Sequence, residues 1–254
     1  MQLIVLGVGS SAGTPVIGCD CATCTSADPR NNRTRCSSAI ETDGGEIILI
    51  DTAPDLRLQS LRENIRRVDA VLYTHIHADH LNGIDDLRAF CQMQKKQIPL
   101  YGNAYTIDNI GTRFGYTLHE PGTSWEMPVL RAEAVDGPFD ICGERVIPIP
   151  VKHGRANILG WRIRNFAYLT DISEIPPGSM ELLHGLDVVL LDCLRFKPHH
   201  THINVEQSLA YASLIGARQT YLIHMTHELE YAMLQSGLPA GVNVGYDGLR
   251  LALA

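Results

Sequence analysis

No apolar stretch in this 254-residue sequence approaches the roughly 20 residues that a membrane span requires. Its opening, Met1-Gln2-Leu3-Ile4-Val5-Leu6-Gly7, lacks the basic flank of a signal peptide, so a cytoplasmic protein that engages no membrane is expected. Basic charge is scarce as well: 21 Lys and Arg against 28 Asp and Glu leave a formal charge of -7. Neutralising many phosphates needs a basic face, so nucleic acid is not an expected partner, and any anionic substrate must be met by local cations. The sequence also lacks internal repeats, low-complexity tracts, charge runs and composition breaks. One domain spanning 1–254 is therefore expected. With 45% apolar and 19% charged residues, the composition is that of an ordered globule.

There are 7 cysteines, and Cys19, Cys21 and Cys24 crowd into six positions. That spacing suits a metal site in a reducing compartment better than a network of long-range disulfides. The glycines of Gly7-Val8-Gly9-Ser10-Ser11-Ala12 imitate a dinucleotide fingerprint, but its third glycine is Ala12, and Pro15 interrupts the helix that should follow.

Short β-rich runs punctuate the chain at 3–6, 37–41, 47–51, 70–74, 146–151, 161–164, 167–170, 188–192 and 220–224. Amphipathic helices are expected at 54–66, 82–95, 104–114, 176–184, 205–215 and 228–235. Early strands follow one another directly and later ones alternate with helices, which implies an α/β layered fold of mixed sheets covered by helices. Ligand-type side chains fall where strands end: His75 to His80, His153, Asp171, Asp192 and His224. Loops at the ends of strands in a rigid sheet are where such folds build sites.

The segment Thr74-His75-Ile76-His77-Ala78-Asp79-His80 places three imidazoles and a carboxylate in six positions behind an apolar strand. Buried without a cation, those groups would leave several costly unpaired polar atoms. In its His-x-His-x-Asp-His pattern the sequence resembles the metallo-β-lactamase superfamily, and the later ligand types of that family appear in order as His153, Asp171 and His224. The resemblance implies an αββα sandwich with a two-metal site at one edge of the paired sheets. It implies that His75, His77 and His153 hold one ion, that Asp79, His80 and His224 hold the other, and that Asp171 bridges them. Imidazole and carboxylate donors suit Zn²⁺, Mn²⁺ or Fe²⁺, with Mn²⁺ or Zn²⁺ expected, and a metal-bound hydroxide is the expected nucleophile.

Together with these motifs, Cys19-Asp20-Cys21-Ala22-Thr23-Cys24 is similar to the start of the cyclic phosphodiesterase group of the carbon–phosphorus lyase pathway. That similarity implies a structural zinc held by Cys19, Cys21, Cys24 and His227, a site that four such donors can close as a tetrahedron. Phosphodiesterase members, ribonuclease Z among them, carry a histidine on the loop that here runs Leu194 to Asn204, paired with an acidic residue at the preceding strand end. His202 and Asp192 match that pair, His202 as the acid that protonates the leaving alkoxide. The neighbouring His199 and His200 leave the choice of acid open. Asp79 is counted with the catalytic residues as well as the ligands, and Arg155, Arg195, Lys197 and His200 are candidates for anion recognition.

The expected function is hydrolysis of a small phosphate diester, cyclic forms included, of ribosyl or nucleotide type, by the metal-bound hydroxide of a dinuclear enzyme, a homodimer by analogy with its relatives. Ribonuclease Z activity is disfavoured by the acidic charge and by the lack of a glycine- and lysine-rich arm. A thioesterase-type hydrolase fits the Asp192 and His202 loop less well. A metal-binding accessory protein like that of pyrroloquinoline quinone biosynthesis shares the glycine-rich start and cysteine cluster, but the intact ligand set argues for turnover.

Overall fold

A computed structural model describes residues 1–118 and 129–253. In chain order the elements are β1 (Gln2–Gly7), β2 (Ser37–Glu41), β3 (Ile47–Ile50), α1 (Leu56–Glu63), β4 (Ala70–Leu72), α2 (Ala78–Leu81), α3 (Leu87–Gln94), β5 (Ile98–Gly102), α4 (Ala104–Phe114) and β6 (Leu130–Ala134). They continue with β7 (Phe139–Ile141), β8 (Glu144–His153), β9 (Ala156–Ile163), β10 (Phe166–Leu169), α5 (Pro177–Glu181), β11 (Val188–Asp192), α6 (Val205–Ile215), β12 (Gln219–Ile223), α7 (Tyr231–Ser236), β13 (Val242–Val244) and β14 (Arg250–Ala252).

The strands form two seven-stranded sheets, ordered β14-β1-β2-β3-β4-β5-β6 and β13-β12-β11-β10-β9-β8-β7. Each sheet is antiparallel over one half and parallel over the other. In the first, β14, β1, β2 and β3 run antiparallel and β3 to β6 parallel; in the second, β7 to β10 run antiparallel and β10 to β13 parallel. The parallel halves need crossovers, which explains why helices alternate with strands there.

Strand periodicity divides the core. In β1, Leu3 and Val5 pack toward the second sheet while Ile4 and Leu6 pack with α1, α3 and α4; in β3, Ile48 and Ile50 face inward while Ile47 and Leu49 face the helices. Both faces of these strands are buried, so they read as unbroken apolar runs. On the far side, Leu183, Ala212, Ile215 and Leu234, from α6, α7 and the segment after α5, close over the second sheet. The result is the αββα sandwich of the metallo-β-lactamase fold.

Several expectations are corrected. The single helix expected at 82–95 is divided: Asn82 ends α2, a 3₁₀ turn covers Ile84–Asp86, and α3 starts at Leu87. The Gly83 N–H leaves the helix ladder for the Thr52 carbonyl at 2.9 Å. A Cβ there would meet the Ala53 carbonyl oxygen at 2.0 Å, so the backbone passes too close to the end of β3 for any side chain. The helix expected from residue 228 starts at Tyr231, because Glu230 serves as its cap by accepting from Met233 N at 2.7 Å. Five strands had no expected counterpart, namely β5, β6, β7, β13 and β14.

Candidate metal centre

The ligand-type residues gather at one edge of the two sheets. Tyr73 to His77 leave β4 in an extended path, and α2 then turns Asp79 and His80 inward within a single helical turn. His153 ends β8, Asp171 stands two residues past β10, Asp192 ends β11, and His224 follows β12. All are buried except His77, which is exposed. Asp51, Asp171 and His224 hold φ of 62°, 55° and 58°, in the left-handed region. Such a conformation costs about 1–3 kcal/mol per residue, and here it turns three side chains out of three strand ends into one space.

Besides a group of Asp171, Asp192, His202 and His224, their donor atoms form two four-membered groups, His75, His77, His153 and Asp171 in one, Asp79, His80, Asp171 and His224 in the other. Asp171 belongs to both, and its two oxygens are divided between them. Oδ1 lies 3.0 Å from His80 Nε2 and 3.3 Å from His224 Nε2, whereas Oδ2 lies 3.7 Å from His75 Nε2. His75 Nε2 and His77 Nδ1 approach to 2.9 Å. Donors at the usual 2.0–2.2 Å from a divalent ion in a tetrahedral shell stand about 3.3 Å apart, so each group has the spacing of a metal shell.

The outward nitrogens are fixed. His80 Nδ1 donates to Asp51 Oδ2 at 2.7 Å, and His153 Nδ1 to the Thr201 carbonyl at 2.9 Å. His75 Nδ1 donates to Thr74 Oγ1 at 3.0 Å, which passes its own proton to Asp51 Oδ2 at 2.8 Å. His224 Nδ1 lies 3.5 Å from Asp192 Oδ1. These partners aim Nε2 of His75, His80 and His153 into the site, the orientation that ligating histidines need. Asp51 and Thr74 are functional residues that the sequence reading missed. The signal was present, since Asp51 is a carboxylate closing an apolar strand, as Asp192 is.

Electrostatics favour a cation. Burial would raise Asp171 and Asp79, but the imidazoles of His224 and His80 around them outweigh it and hold both carboxyls well below the usual range. Burial likewise opposes charge on His80 and His224, yet the facing carboxylates, Asp171 first among them, push both upward. Burial pushes His75 and His153 down. The acid-rich half thus calls for positive charge, and His80 Nε2 and His224 Nε2 are buried without a hydrogen-bond partner among the described residues. An orphaned pair of nitrogens facing two carboxylates fits a bound ion.

His202 sits beside both groups. Its Nδ1 is 3.3 Å from Asp192 Oδ2, its Nε2 is 3.8 Å from Asp171 Oδ2, and its ring stacks on His224 at 4.9 Å between centroids. Asp192 Oδ2 therefore faces His202, whereas Asp192 Oδ1 and His224 Nδ1, 3.5 Å apart, have no hydrogen-bond partner among the described residues. His199 and His200 lie further out along the loop, half-buried and exposed. Arg155 is exposed in the two-residue turn between β8 and β9, next to His153, and Lys197 is also exposed. Arg195 is turned to its own loop, donating to the carbonyls of Lys197 and Pro198 at 3.2 Å. Arg113, which the sequence did not single out, donates from α4 to the Ile76 carbonyl at 2.8 Å and to Asn82 Oδ1 at 2.7 Å, clamping both ends of the histidine motif.

A second cluster brings together Cys19, Cys21, Cys24 and His227. The three sulfurs stand 3.3, 3.4 and 3.5 Å from His227 Nδ1. One nitrogen and three sulfurs around a tetrahedral ion at ordinary bond lengths would be about 3.5 Å apart, so this cluster also fits a metal. Cys21 is drawn down to about 6 by the backbone donor of Cys24 and by its thiol and imidazole neighbours, which favours the thiolate that binds metal. His227 lies three residues past His224 on a loop sewn down by Met225 N to Val8 O (2.9 Å), Ser10 N to Met225 O (3.0 Å) and the buried Arg33 guanidinium to the Thr226 and Leu229 carbonyls.

Comparison with known proteins agrees with this geometry. The family model of the Beta-lactamase superfamily domain matches residues 46–225. A solved structure described as a new diphosphatase from the PhnP family is 41% identical, with a TM-score of 0.93 over 100% of this chain and 98% of that one. Zn²⁺-bound PqqB from Methylobacterium extorquens superimposes with a TM-score of 0.80 at 20% identity over 100% of both chains, a likeness of fold. An octanoyltransferase of Porphyromonas gingivalis is 38% identical over 98% of this chain, and the chain spans 51% of that protein's length.

Proposed function

Because the chain belongs to the β-lactamase superfamily of metal-dependent hydrolases, we propose that it is a dinuclear phosphodiesterase acting on a small, compact phosphate diester. The observation that carries this reading is the division of Asp171, one oxygen toward each donor group, with the His202 and Asp192 pair alongside. Two divalent ions, Zn²⁺ or Mn²⁺, would be held by His75, His77 and His153 and by Asp79, His80 and His224, with Asp171 shared; Cys19, Cys21, Cys24 and His227 would hold a structural zinc. Bound there, the paired ions would polarise the phosphoryl group and lower the pKa of water, the chemistry two-metal sites bring to displacement at phosphorus.

The protein's own groups supply the rest. Asp51, Thr74 and Thr201 hold the imidazoles of His75, His80 and His153 in one orientation. Water gives up one proton to bulk solvent as its oxygen bonds to phosphorus, the bond to the ester oxygen breaks, and the departing electron pair takes a proton from His202 Nε2, which Asp192 keeps aimed inward and which solvent reprotonates. Arg155, exposed at the hairpin turn beside His153, would meet the charged phosphoryl oxygens.

The test compares bis(p-nitrophenyl) phosphate with p-nitrophenyl phosphate in the presence of Mn²⁺ or Zn²⁺, with Asp171→Ala as control. Metal-dependent cleavage of the diester, abolished in the variant and slight for the monoester, is the expected result. If metal-loaded protein cleaves neither ester, the reading is overturned. A thioester or acyl substrate then becomes the next panel, as the octanoyltransferase similarity suggests, and a metal-carrying role like that of the PQQ synthesis relatives follows it.

A further inference from the structure

The helix that presents Asp79 and His80 is too short to hold itself. α2 has 4 residues, and its N-cap, His77, makes no side-chain capping bond. A single turn is marginal on its own, because nucleating it fixes several backbone dihedrals for very few hydrogen bonds. Its inner side is tied to the end of β3. Thr52 N donates to the His80 carbonyl at 2.7 Å, Thr52 Oγ1 to the Leu81 carbonyl at 3.1 Å, and His80 Nδ1 to Asp51 Oδ2 at 2.7 Å. The outer side, where His77 and Ala78 are exposed, has a different anchor. The carbonyl just before it, on Ile76, accepts from Arg113 Nη1 at 2.8 Å, and Nη2 of the same guanidinium donates at 2.7 Å to Asn82 Oδ1 at the far end of the turn.

Arg113 is itself steadied. Its Cζ lies 5.1 Å from the centroid of the Phe114 ring, within reach of the attraction between a cation and an aromatic face. Phe114 and Ile76 both pack against the helix-side core, so the last turn of α4 and the outer part of the histidine motif share one footing. A planar fork of donors can meet two acceptors at once; an ammonium, with its protons on one nitrogen, is poorly suited to span them.

The ligands differ in what else holds them. His75, His80 and His153 each have Nδ1 engaged, by Thr74 Oγ1, Asp51 Oδ2 and the Thr201 carbonyl. His77 brings Nδ1 to 2.9 Å from His75 Nε2 inside the site, and its Nε2 has no hydrogen-bond partner among the described residues. With no such support on its ring, His77 is placed by its backbone, and that backbone leaves the carbonyl that Arg113 grips.

We infer that Arg113 is a positioning residue for His77: it governs ion binding by His75, His77 and His153, and leaves binding by Asp79, His80 and His224 to the anchorage on β3. This rests on the two-ion reading above for the ligand sets, and on the bonds of α2 for the division between them.

The experiment titrates Co²⁺ into metal-free protein against a competing chelator and follows the visible absorption, in which cobalt on the cysteine cluster is told apart by its intense sulfur charge-transfer bands. The step that belongs to the first group is the one that His153→Ala removes. In Arg113→Lys that step should weaken by about 10- to 100-fold, the usual effect of losing a ligand's support, while the other stays unchanged. Asn82→Ala takes away one of the two acceptors and should weaken the same step less, and the double variant should lose less than the sum of the two, since both act through one clamp. Arg113 is exposed, so metal-free melting of Arg113→Lys should match that of the parent; if that variant fails to fold, Asn82→Ala carries the test from the other end of the clamp. Two unchanged steps, or two steps weakened alike, overturn the inference and leave the phosphodiesterase reading intact. A parent protein that takes up no ions at the centre overturns that reading itself.

Discussion

Asp51 offers no donor to either four-membered group, yet two of the imidazoles depend on it, His80 directly and His75 through Thr74. Changing it to Asn keeps the volume but removes the charge that both histidines lean on. Metal affinity should fall by about 10- to 100-fold, the usual effect of losing a ligand's supporting partner. Chelator competition reads this, and equal melting of the two metal-free proteins would separate it from a folding defect. His202 is tested differently, because an acid matters most where the leaving group is basic. His202→Ala should slow a diester with an alkyl leaving group by about 10² to 10⁴, and one with p-nitrophenolate far less. Equal slowing of both substrates would remove His202 from the acid role and leave it as a support for Asp192 and His224.

Among the elements, the loop between β12 and α7 joins two sites, since His224 and His227 stand three residues apart on it. Cys24→Ser should lower the count of bound ions by one per chain. It should also lower the melting temperature by several degrees, as a loss of 1 kcal/mol costs about 2–4 °C at this chain length. Unchanged metal content would show that the cysteine cluster is not an ion site. The same scale shows what could be read from sequence and what could not. Strands buried on both faces, such as Leu3 to Leu6 and Val188 to Asp192, announce themselves as apolar runs, and the ligands at their ends are legible for the same reason. β6 is Leu-Arg-Ala-Glu-Ala and β14 only Arg-Leu-Ala, strands that exist because a neighbour offers a free edge, which no local pattern encodes. The turn at Gly83 was equally hidden, because its cause is the Ala53 carbonyl thirty residues away. Thr201, which holds His153 through its backbone carbonyl, leaves no trace in side-chain identity at all.

In the whole molecule, Asp247 links distant parts of the chain, accepting from Val8 N at 3.0 Å, from Thr34 N at 2.9 Å and from Arg62. Burial pushes its carboxyl up to about 6 despite these donors. Against an unfolded value of about 3.9, the folded protein binds this proton more tightly, so the stability it contributes is complete below about pH 4 and is lost as pH rises through about 6. The loss is on the order of 2 kcal/mol. Urea unfolding at several pH values should show Asp247→Asn gaining on the parent protein by that amount between pH 4 and 7; a difference that stays flat with pH would mean the carboxyl is ionised throughout. The donors of the metal centre are likewise gathered from across the molecule. The two groups that share Asp171 across the sheets each take two residues beyond β4 of the first sheet, His75 with His77 or Asp79 with His80, and two from the strand ends of the second, Asp171 with His153 or His224. A chain that has formed only one sheet completes neither of these two groups. An ion bound in either would tie the two sheets together, so its capture would wait on their docking.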